Sequence, residues 1–313
     1  MLVWVIFLLG ILVFLALDLG VFNKTAHIIS VKEASIWTTV WVTLSFLFSF
    51  VIYWLYSTQR IENPDNLSPM LASVKYITGY LIELSLSIDN IFVIAVIFGA
   101  FKIPQKYQHR VLFWGILGAI LFRALMIFFG VALIKKFSFT TYVFGAFLIF
   151  TALRMLLSKE KPFNPKKSFI YRNLRKVMPI TSHMQGQQFF IKLRHITAAT
   201  PLFIALVVIE FTDILFALDS VPAILAITSD PFLVFSSNIF AILGLRSMYF
   251  FLANMLDRFH HLKYSLVAIL SFVGVKLILA HHYSFPEWLS LGFIGLALAI
   301  GILTSFLDKR TND

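Results

Sequence analysis

The chain of 313 residues contains no cysteine. Disulfide bonds, thiolate catalysis and thiolate ligands for soft metals are therefore excluded. Charged residues are also scarce, at 13% of the sequence, and the chain has no Walker motif or other nucleotide-binding domain. These absences remove thiol chemistry and built-in ATP hydrolysis from the functions that this chain can perform alone.

Apolar residues dominate the composition. Hydrophobic residues make up 59% of the sequence, which includes 35 phenylalanines, and this is too apolar for a soluble domain of this length. The net charge of +11 comes from basic residues that stand between apolar runs, a pattern typical of cytoplasmic loops and not of a nucleic-acid-binding face. The sequence predicts an all-α polytopic membrane protein in a lipid bilayer, with no nucleic acid partner.

Apolar runs of about 20 residues, the length that crosses a bilayer as a helix, recur along the chain. They predict about nine transmembrane helices in a single membrane domain, 1–313. The runs are Leu2–Val21, Ser35–Ser57, Leu71–Phe101, Val111–Leu133, Phe139–Leu157, Thr200–Thr228, Phe232–Met255, Tyr264–Ala280 and Pro286–Leu307. The first run lacks a basic n-region and a convincing cleavage site, so we expect a retained helix and not a signal peptide.

Lysine and arginine accumulate on the cytoplasmic side of membrane proteins, which decides the orientation. An external amino terminus places the strongly basic connection 158–199 and the basic carboxyl-terminal end inside. It leaves four basic residues outside, namely Arg60, Lys75, Lys135 and Lys136. The sequence therefore predicts an N-out, C-in topology, which an odd number of spans requires.

Two polar motifs interrupt the apolar runs. The first is ELSLSIDN, Glu83 to Asn90, and the second is IEFTDILFALDSVP, Ile209 to Pro222. When Glu83 is aligned with Asp213, Asp89 falls on Asp219 and Asn90 falls on Ser220. The chain thus contains an internal repeat that is built on residues that are costly to bury in a membrane.

The repeat extends to three helices in each half. WGILGAILFR and FAILGLR align on Gly118 and Gly244, and under the predicted topology the two acidic helices run in opposite directions. Inverted repeats with polar sites near the membrane midplane are typical of secondary transporters. The predicted division is 1–70 for the first two helices, 71–157 for the first repeat, 158–199 for the basic cytoplasmic loop, 200–281 for the second repeat and 286–307 for the last helix.

Acids outnumber bases within the predicted spans. The acids are Asp18, Glu83, Asp89, Glu210, Asp213 and Asp219, and the bases are Arg123, Arg246 and Lys276. Three acids can pair with the three bases in structural salt bridges, and for Asp18 and Glu210 that alternative stays open. The surplus must be protonated or neutralised by a cation. We expect Arg123 and Arg246 to act as pseudo-symmetric counter-charges that hold the carboxylates when no ion is bound.

The donors in the two motifs are all oxygens. Carboxylates, a carboxamide and serine hydroxyls suit Mn²⁺, Mg²⁺ or Ca²⁺ and disfavour copper and zinc. Acids six residues apart point about 120° away from each other on a regular helix. Either the helices break at the motifs or each helix contributes to two sites, and Pro222 favours a break that would free the carbonyl of Leu218 to bind a cation.

At these residues the chain resembles the TerC family, the tellurium-resistance and Alx-like membrane proteins within the wider LysE-type transporters. The resemblance covers nearly the whole chain and includes ELSLSIDN, TPLFIALVVIEFTDILFALDSVPAILAI, SNIFAILGLRSMYF and VGVKLIL. It implies export of Mn²⁺ across the bacterial inner membrane by a multi-pass protein that has no prosthetic group. Carried over to this sequence, the implied metal ligands are Glu83, Asp89, Asn90, Glu210, Asp213, Asp219 and Ser220.

Other functions remain open at this point. Paired acids in a membrane could form an intramembrane aspartyl hydrolase, but no glycine lies beside Asp89 or Asp219 and an inverted repeat has no role in proteolysis. A membrane scaffold that helps other proteins insert or acquire metal, linked to tellurite or alkaline-stress resistance, is a further alternative. We expect a transporter and not an enzyme, driven by protons carried on Glu83 and Asp213, with Na⁺ as the alternative coupling ion.

Overall fold

The computed structural model describes residues 2–17, 29–137, 139–157, 169–181, 184, 186–193, 196–253, 262–279, 283 and 286–307. Its elements are α1 Leu2–Leu17, α2 Val31–Ser57, α3 Pro69–Ala100, α4 Gln105–Lys136, α5 Thr140–Leu157, α6 Phe169–Val177, β1 Phe190–Leu193, β2 Ile196–Ala199, α7 Pro201–Leu225, α8 Pro231–Leu252, α9 Leu262–Leu279 and α10 Glu287–Leu307.

The predicted all-α polytopic membrane class is confirmed. Within the described ranges, a helix overlaps each of the nine predicted apolar runs, and seven of these helices are long and apolar enough to cross a membrane. The seven are α2, α3, α4, α5, α7, α8 and α10, whereas the apolar part of α1, Leu2–Ala16, is shorter. The count of nine spans, the N-out orientation and the division into repeats stay predictions.

The connection between α5 and α7 contains regular structure in its described part. Helix α6 lies there, and β1 pairs with β2 in an antiparallel sheet that sets Phe190 opposite Ala199. The short helix α6 carries the basic residues Arg172 and Lys176, and its Tyr171 ring packs on Phe101 at 5.7 Å between ring centres. The described part of the segment predicted as a basic loop therefore packs against the end of α3.

Three core helices begin in the same way, with a polar residue followed by proline. The pairs are Ser68-Pro69 before α3, Thr200-Pro201 before α7 and Asp230-Pro231 before α8. Proline suits the first helical position because its missing N–H would have no partner there. Asp230 also accepts hydrogen bonds from the amides of Phe232 at 2.9 Å and Leu233 at 3.3 Å, which caps α8.

The prediction of a break at Pro222 is wrong. Helix α7 continues through Pro222 to Leu225, and the amide of Ala226 donates to the carbonyl of Pro222 at 3.0 Å. A proline removes only one backbone hydrogen bond, and a membrane helix that is packed among others tolerates this loss. Helix α3 is also continuous across its acidic motif. The acidic side chains of α7 face different neighbours, and the second alternative, a contribution to two sites, stays a prediction.

Helices α3 and α7 pack side by side and run in opposite directions. A Cβ added at Gly79 would lie 3.5 Å from Ile224, and the Asn90 carboxamide lies 3.5 Å from Asp213. Moving eleven residues forward along α3, from 79 to 90, therefore moves the contact eleven residues backward along α7, from 224 to 213. This is the antiparallel relation that the sequence predicts for the two acid-bearing helices.

Helices α5 and α9 cross at two glycines with reciprocal contacts. A Cβ at Gly145 would lie 2.8 Å from the Gly274 carbonyl and 3.2 Å from the Ile278 amide. A Cβ at Gly274 would lie 2.9 Å from the Gly145 carbonyl and 3.3 Å from the Ile149 amide. The two helices are antiparallel, and the sequences GAFLI and GVKLI stand at the crossing. Such mutual contacts are what a two-fold relation between the halves would produce.

Polar side chains join the loops at the end of the bundle where α3 begins and α7 ends. The Tyr56 hydroxyl donates to Asp230 at 2.6 Å. Asp65, in the loop after α2, accepts from the Ser229 hydroxyl at 2.8 Å and from its amide at 3.3 Å. Lys75 donates to the carbonyl of Ile227 at 2.5 Å. These bonds tie the α2–α3 loop to the α7–α8 loop and close this end of the bundle.

Candidate cation site

A buried arginine lies at the centre of the bundle. Arg123, on α4, is 1% exposed, and its Nη1 donates to the carboxylate of Glu83 on α3, which is 0% exposed. On its other side, Nε and Nη2 donate to the two carboxylate oxygens of Asp213 on α7, at 3.4 and 3.1 Å. One guanidinium thus bridges two carboxylates that come from the two predicted repeats.

Polar side chains surround this ionic centre. The Ser87 hydroxyl lies 3.5 Å from Glu83, and the Asn90 carboxamide nitrogen lies 3.5 Å from Asp213. Nη1 of Arg123 also donates to Oδ1 of Asn238 at 3.0 Å and to the hydroxyl of Ser220 at 3.5 Å. Because Ser87 and Asn90 lie four and seven residues after Glu83, all three share one face of α3, as the sequence predicts.

A small cavity opens beside Asp213. Its volume is about 30 Å³, which is room for one ion or one or two water molecules. Asn90, Glu210, Thr212 and Asp213 are the polar side chains in its lining, and apolar side chains such as Ile116 and Phe216 form most of it. Two carboxylates and a carboxamide therefore share a cavity of the size that a dehydrated cation needs.

Several oxygens at this centre are buried and, among the residues that the structure describes, accept or donate no hydrogen bond. They are Oε2 of Glu83, Oδ1 of Asn90 and Oε2 of Glu210. Asn90 is only 5% exposed and lines the cavity. A buried polar atom without a partner costs about 1 to 3 kcal/mol, so these oxygens favour the binding of a cation or a proton.

Glycine on α4 allows Glu210 to reach the cavity. A Cβ added at Gly118 would collide with the carboxylate of Glu210, which lies directly on the α4 backbone. Gly115, one turn earlier, also lines the cavity. The sequence analysis aligned Gly118 with Gly244 but gave it no role, and only the packing of α4 on α7 shows why a side chain is absent here.

The charges at the centre do not balance. Glu83, Glu210 and Asp213 are three carboxylates, and Arg123 is the basic residue that contacts two of them. If all four groups are ionised, two negative charges remain. In a low-dielectric interior such a surplus is neutralised by bound cations or by protonation. The centre is thus suited to hold a cation or protons.

Asp219 lies apart from this centre. On α7 it faces α5, where the Thr151 hydroxyl donates to its Oδ1 at 2.9 Å, and the positive charge of Arg154 acts on it. Residues six apart point to different faces of an unbroken helix, so Asp219 and Asp213 have different surroundings, and the role of Asp219 as a metal ligand stays a prediction. Ser220 contacts Arg123 and does not line the cavity.

The remaining predicted site residues have different outcomes. Asp18 lies outside the described residues, and Asp89 lies in α3 but its side chain is not among those described. Lys276, on α9, is 5% exposed and donates to the Ser290 hydroxyl at 2.9 Å. Arg246 lies in α8, and its role as a counter-charge stays a prediction.

Across the ranges that the structure covers, no group of three or more histidine or acidic side chains could hold a metal ion.

The sequence analysis missed Asn238, which contacts Arg123 from α8. This residue follows two serines inside an apolar run, and all three are buried. A buried carboxamide in a membrane helix is a signal in itself, because its polar atoms need partners. Its contact with Arg123 depends on how α4 and α8 pack, which spacing along the chain does not reveal.

Comparisons with known proteins agree with the motifs. The profile of the Integral membrane protein TerC family matches residues 70–313. An uncharacterized membrane protein of Myxococcus xanthus is 46% identical over 307 residues, which is 98% of this chain and 92% of that protein. Alx of Escherichia coli K12, named there as a proposed membrane-bound redox modulator, is 40% identical over 314 residues, 99% of this chain and 96% of that protein. No solved structure matches.

Proposed function

The chain belongs to the integral membrane protein TerC family, and from this premise we propose that it is a secondary transporter that exports divalent manganese from the cytoplasm in exchange for protons. The observation that carries the proposal is the cavity lined by Asn90, Glu210 and Asp213. The cavity has room for one ion, and buried oxygens of Asn90 and Glu210 at its edge have no hydrogen-bond partner among the described residues. In this proposal the protein lies in the bacterial inner membrane, has no prosthetic group, and carries Mn²⁺ as its cargo.

The choice of a divalent cation is supported by charge. The carboxylates of Glu83, Glu210 and Asp213, set against the guanidinium of Arg123, leave two negative charges when all are ionised. One divalent cation neutralises this surplus, whereas one monovalent cation leaves a buried negative charge that costs several kcal/mol. The guanidinium of Arg123 already occupies the space beside Glu83. The cation would therefore bind on the side of Asp213 that faces Glu210.

The choice of manganese over zinc or copper is supported by the donor atoms. The cavity offers carboxylate and carboxamide oxygens, and the chain has no cysteine. Oxygen donors suit Mg²⁺, Ca²⁺ and Mn²⁺, whereas zinc and copper favour sites with imidazole or thiolate. The resemblance to TerC proteins directs the choice among the hard cations to Mn²⁺.

Proton exchange is proposed because export needs a driving force. Moving a divalent cation out of a cell whose interior is negative costs about 4.6 kcal/mol per 100 mV. The sequence carries no nucleotide-binding motif. Protons can compete with the cation for the same oxygens, so that each leaves as the other arrives. We propose Glu210 and Asp213 as the exchanging carboxylates, in place of the Glu83 and Asp213 pair, because Glu83 lies against Arg123.

The name of the Alx relatives refers to redox modulation. A redox role based on thiols is not available to this chain, which contains no cysteine. An aspartyl hydrolase needs two carboxylates that share a proton. Here Glu83 and Asp213 are bridged by the guanidinium of Arg123, which favours ion handling over acid–base hydrolysis.

The test is ion flux into vesicles that contain the purified protein. We expect Mn²⁺ to enter faster than Zn²⁺, and Asp213→Asn to weaken Mn²⁺ binding at least about 30-fold, or 2 kcal/mol, as expected for the loss of a buried charged partner. This variant should still fold, because Glu83 and Arg123 remain a balanced pair. Glu62→Gln, an exposed acid in the loop before α3, serves as the control.

Two results would count against the proposal. Zn²⁺ that enters at least as fast as Mn²⁺ would contradict the assignment of the site to a hard cation. Purified protein that binds Mn²⁺ but moves none would favour a scaffold that passes metal to other membrane proteins.

A further inference from the structure

Arg123 has acceptors on two sides, and of these acceptors only Asp213 lines the cavity. Towards the cavity, Nε and Nη2 donate to Asp213. Away from it, Nη1 donates to Glu83, to Asn238 at 3.0 Å and to Ser220 at 3.5 Å. The guanidinium could therefore lose its bonds to Asp213 and still keep three partners in the core.

The carboxamide of Asn238 has a fixed orientation. Its Nδ2 donates to the carbonyl of Val234 at 2.8 Å, one turn earlier on α8. This bond leaves Oδ1 as the atom that faces Arg123, and the residue is 0% exposed. Asn238 thus presents a neutral acceptor to the guanidinium without adding a charge to the centre.

The same carboxylate, Asp213, faces both Arg123 and the cavity. A cation that binds Asp213 from the cavity competes with the guanidinium for its two oxygens. Without other acceptors, Arg123 would become a buried charge with too few partners, which costs several kcal/mol. The affinity of the cavity for its cation therefore depends on how well the opposite side holds Arg123.

We propose that Asn238 is a positioning residue that sets the affinity for the cargo cation by holding Arg123 beside Glu83 when the cation draws Asp213 to the cavity. This role rests on the proposed function, since it needs a cation at Asp213. Arg123 then acts as a fixed positive charge that competes with the cargo cation for Asp213. The bond from Arg123 to Asn238 determines how easily the contact between Arg123 and Asp213 is lost.

The experiment measures the Kd for Mn²⁺ of the purified full-length protein, from the electron paramagnetic resonance signal of free Mn²⁺. Asn238→Ala removes the acceptor and should raise Kd about tenfold, the equivalent of one buried hydrogen bond to a charged group. Asn238→Leu keeps nearly the same volume but has no acceptor, so it should raise Kd as much as Asn238→Ala. Ser236→Ala is the matched control, because that buried hydroxyl donates to Leu233 within its own helix at 3.4 Å.

The Kd values of the two Asn238 variants distinguish a positioning role from a purely structural role. If Asn238 only filled space or stabilised α8, Asn238→Leu would leave Kd unchanged, and that result would overturn the proposal. An unchanged Kd for Asn238→Ala would overturn it as well. If Asn238→Ala does not remain monodisperse, Asn238→Ser, with a shorter acceptor, should give an intermediate Kd. Unchanged protein that binds no Mn²⁺ would refute this proposal and the proposed function together.

Discussion

At the scale of single residues, the centre combines carboxylates in different surroundings. Glu83 is fully buried and lies against Arg123, Asp213 is shared between Arg123 and the cavity, and Glu210 lies on the α4 backbone with one oxygen unpaired among the described residues. Asp219 belongs to a separate contact with Thr151. Surroundings, and not residue type, thus distinguish a structural carboxylate from one that is open to a cation.

Gly118 gives a test of the place of Glu210. Gly118→Ala should lower Mn²⁺ affinity at least about tenfold, because its Cβ would occupy the space of the Glu210 carboxylate and force it out of position. Gly244→Ala, at the aligned position of the second repeat, is the control, because its Cβ would meet only Trp41 at 3.6 Å. Isothermal titration with Mn²⁺ measures both. Equal affinity in the two variants would mean that Glu210 is not a ligand.

At the scale of elements, apolar runs predicted where helices lie, and contacts between helices decided the rest. The run Leu71–Phe101 corresponds to α3, Pro69–Ala100, whereas α4 begins at Gln105, before the predicted Val111, because its polar first turns continue the helix beyond the apolar run. The pairing of Arg123 with Asp213 depends on the register between α4 and α7. Spacing along one helix contains no information on that register. The sequence therefore predicted which polar residues lie at the site better than it predicted which side chains on other helices they contact.

Pro222 predicted a break in α7 that the structure does not have. A proline costs about 3 kcal/mol in an isolated helix, but neighbouring helices hold α7 in place around it. The sequence placed acids six apart and offered a break or two sites as explanations. The helix is unbroken, with Asp213 in contact with Arg123 and Asp219 in contact with Thr151, so the break does not occur and the two sites stay a prediction.

The α5–α9 crossing should depend on its two glycines. Gly145→Ala and Gly274→Ala should each destabilise the protein by about 1 to 3 kcal/mol, because the added Cβ would meet backbone atoms that cannot move aside. Gly295→Ala, on α10, has nothing within 4 Å of the added Cβ and should be neutral or stabilise by up to about 1 kcal/mol through better helix propensity. Thermal unfolding in detergent compares the three variants. The crossing would be unimportant for stability if all three unfolded at the same temperature.

At the scale of the whole molecule, several features are those that the predicted inverted repeat would produce. Helices α3 and α7 are antiparallel, the glycines of α5 and α9 contact each other reciprocally, and each half supplies a carboxylate to Arg123. The polar bonds of Asp65 and Asp230 close one end of the bundle. An ionic centre that joins the two predicted repeats is the arrangement that the proposed transport function would need.

The predicted topology can be tested directly because the chain contains no cysteine. Single cysteines can be introduced at exposed positions on each side, Asn66→Cys in the α2–α3 loop and Lys176→Cys on α6. In intact cells a membrane-impermeant maleimide should label Asn66→Cys and not Lys176→Cys, because the first is predicted outside and the second inside. The opposite pattern would reverse the orientation.

The most direct test of cation–proton exchange is Mn²⁺ uptake into protein-containing vesicles whose interior is more acidic than the medium, with internal pH followed by a trapped dye. We predict that the acidic interior accelerates Mn²⁺ entry, that internal pH rises as Mn²⁺ enters, and that replacing Na⁺ with K⁺ changes neither rate. Asp213→Asn should abolish both signals. Mn²⁺ entry that ignores the pH gradient and leaves internal pH unchanged would contradict proton exchange at this site.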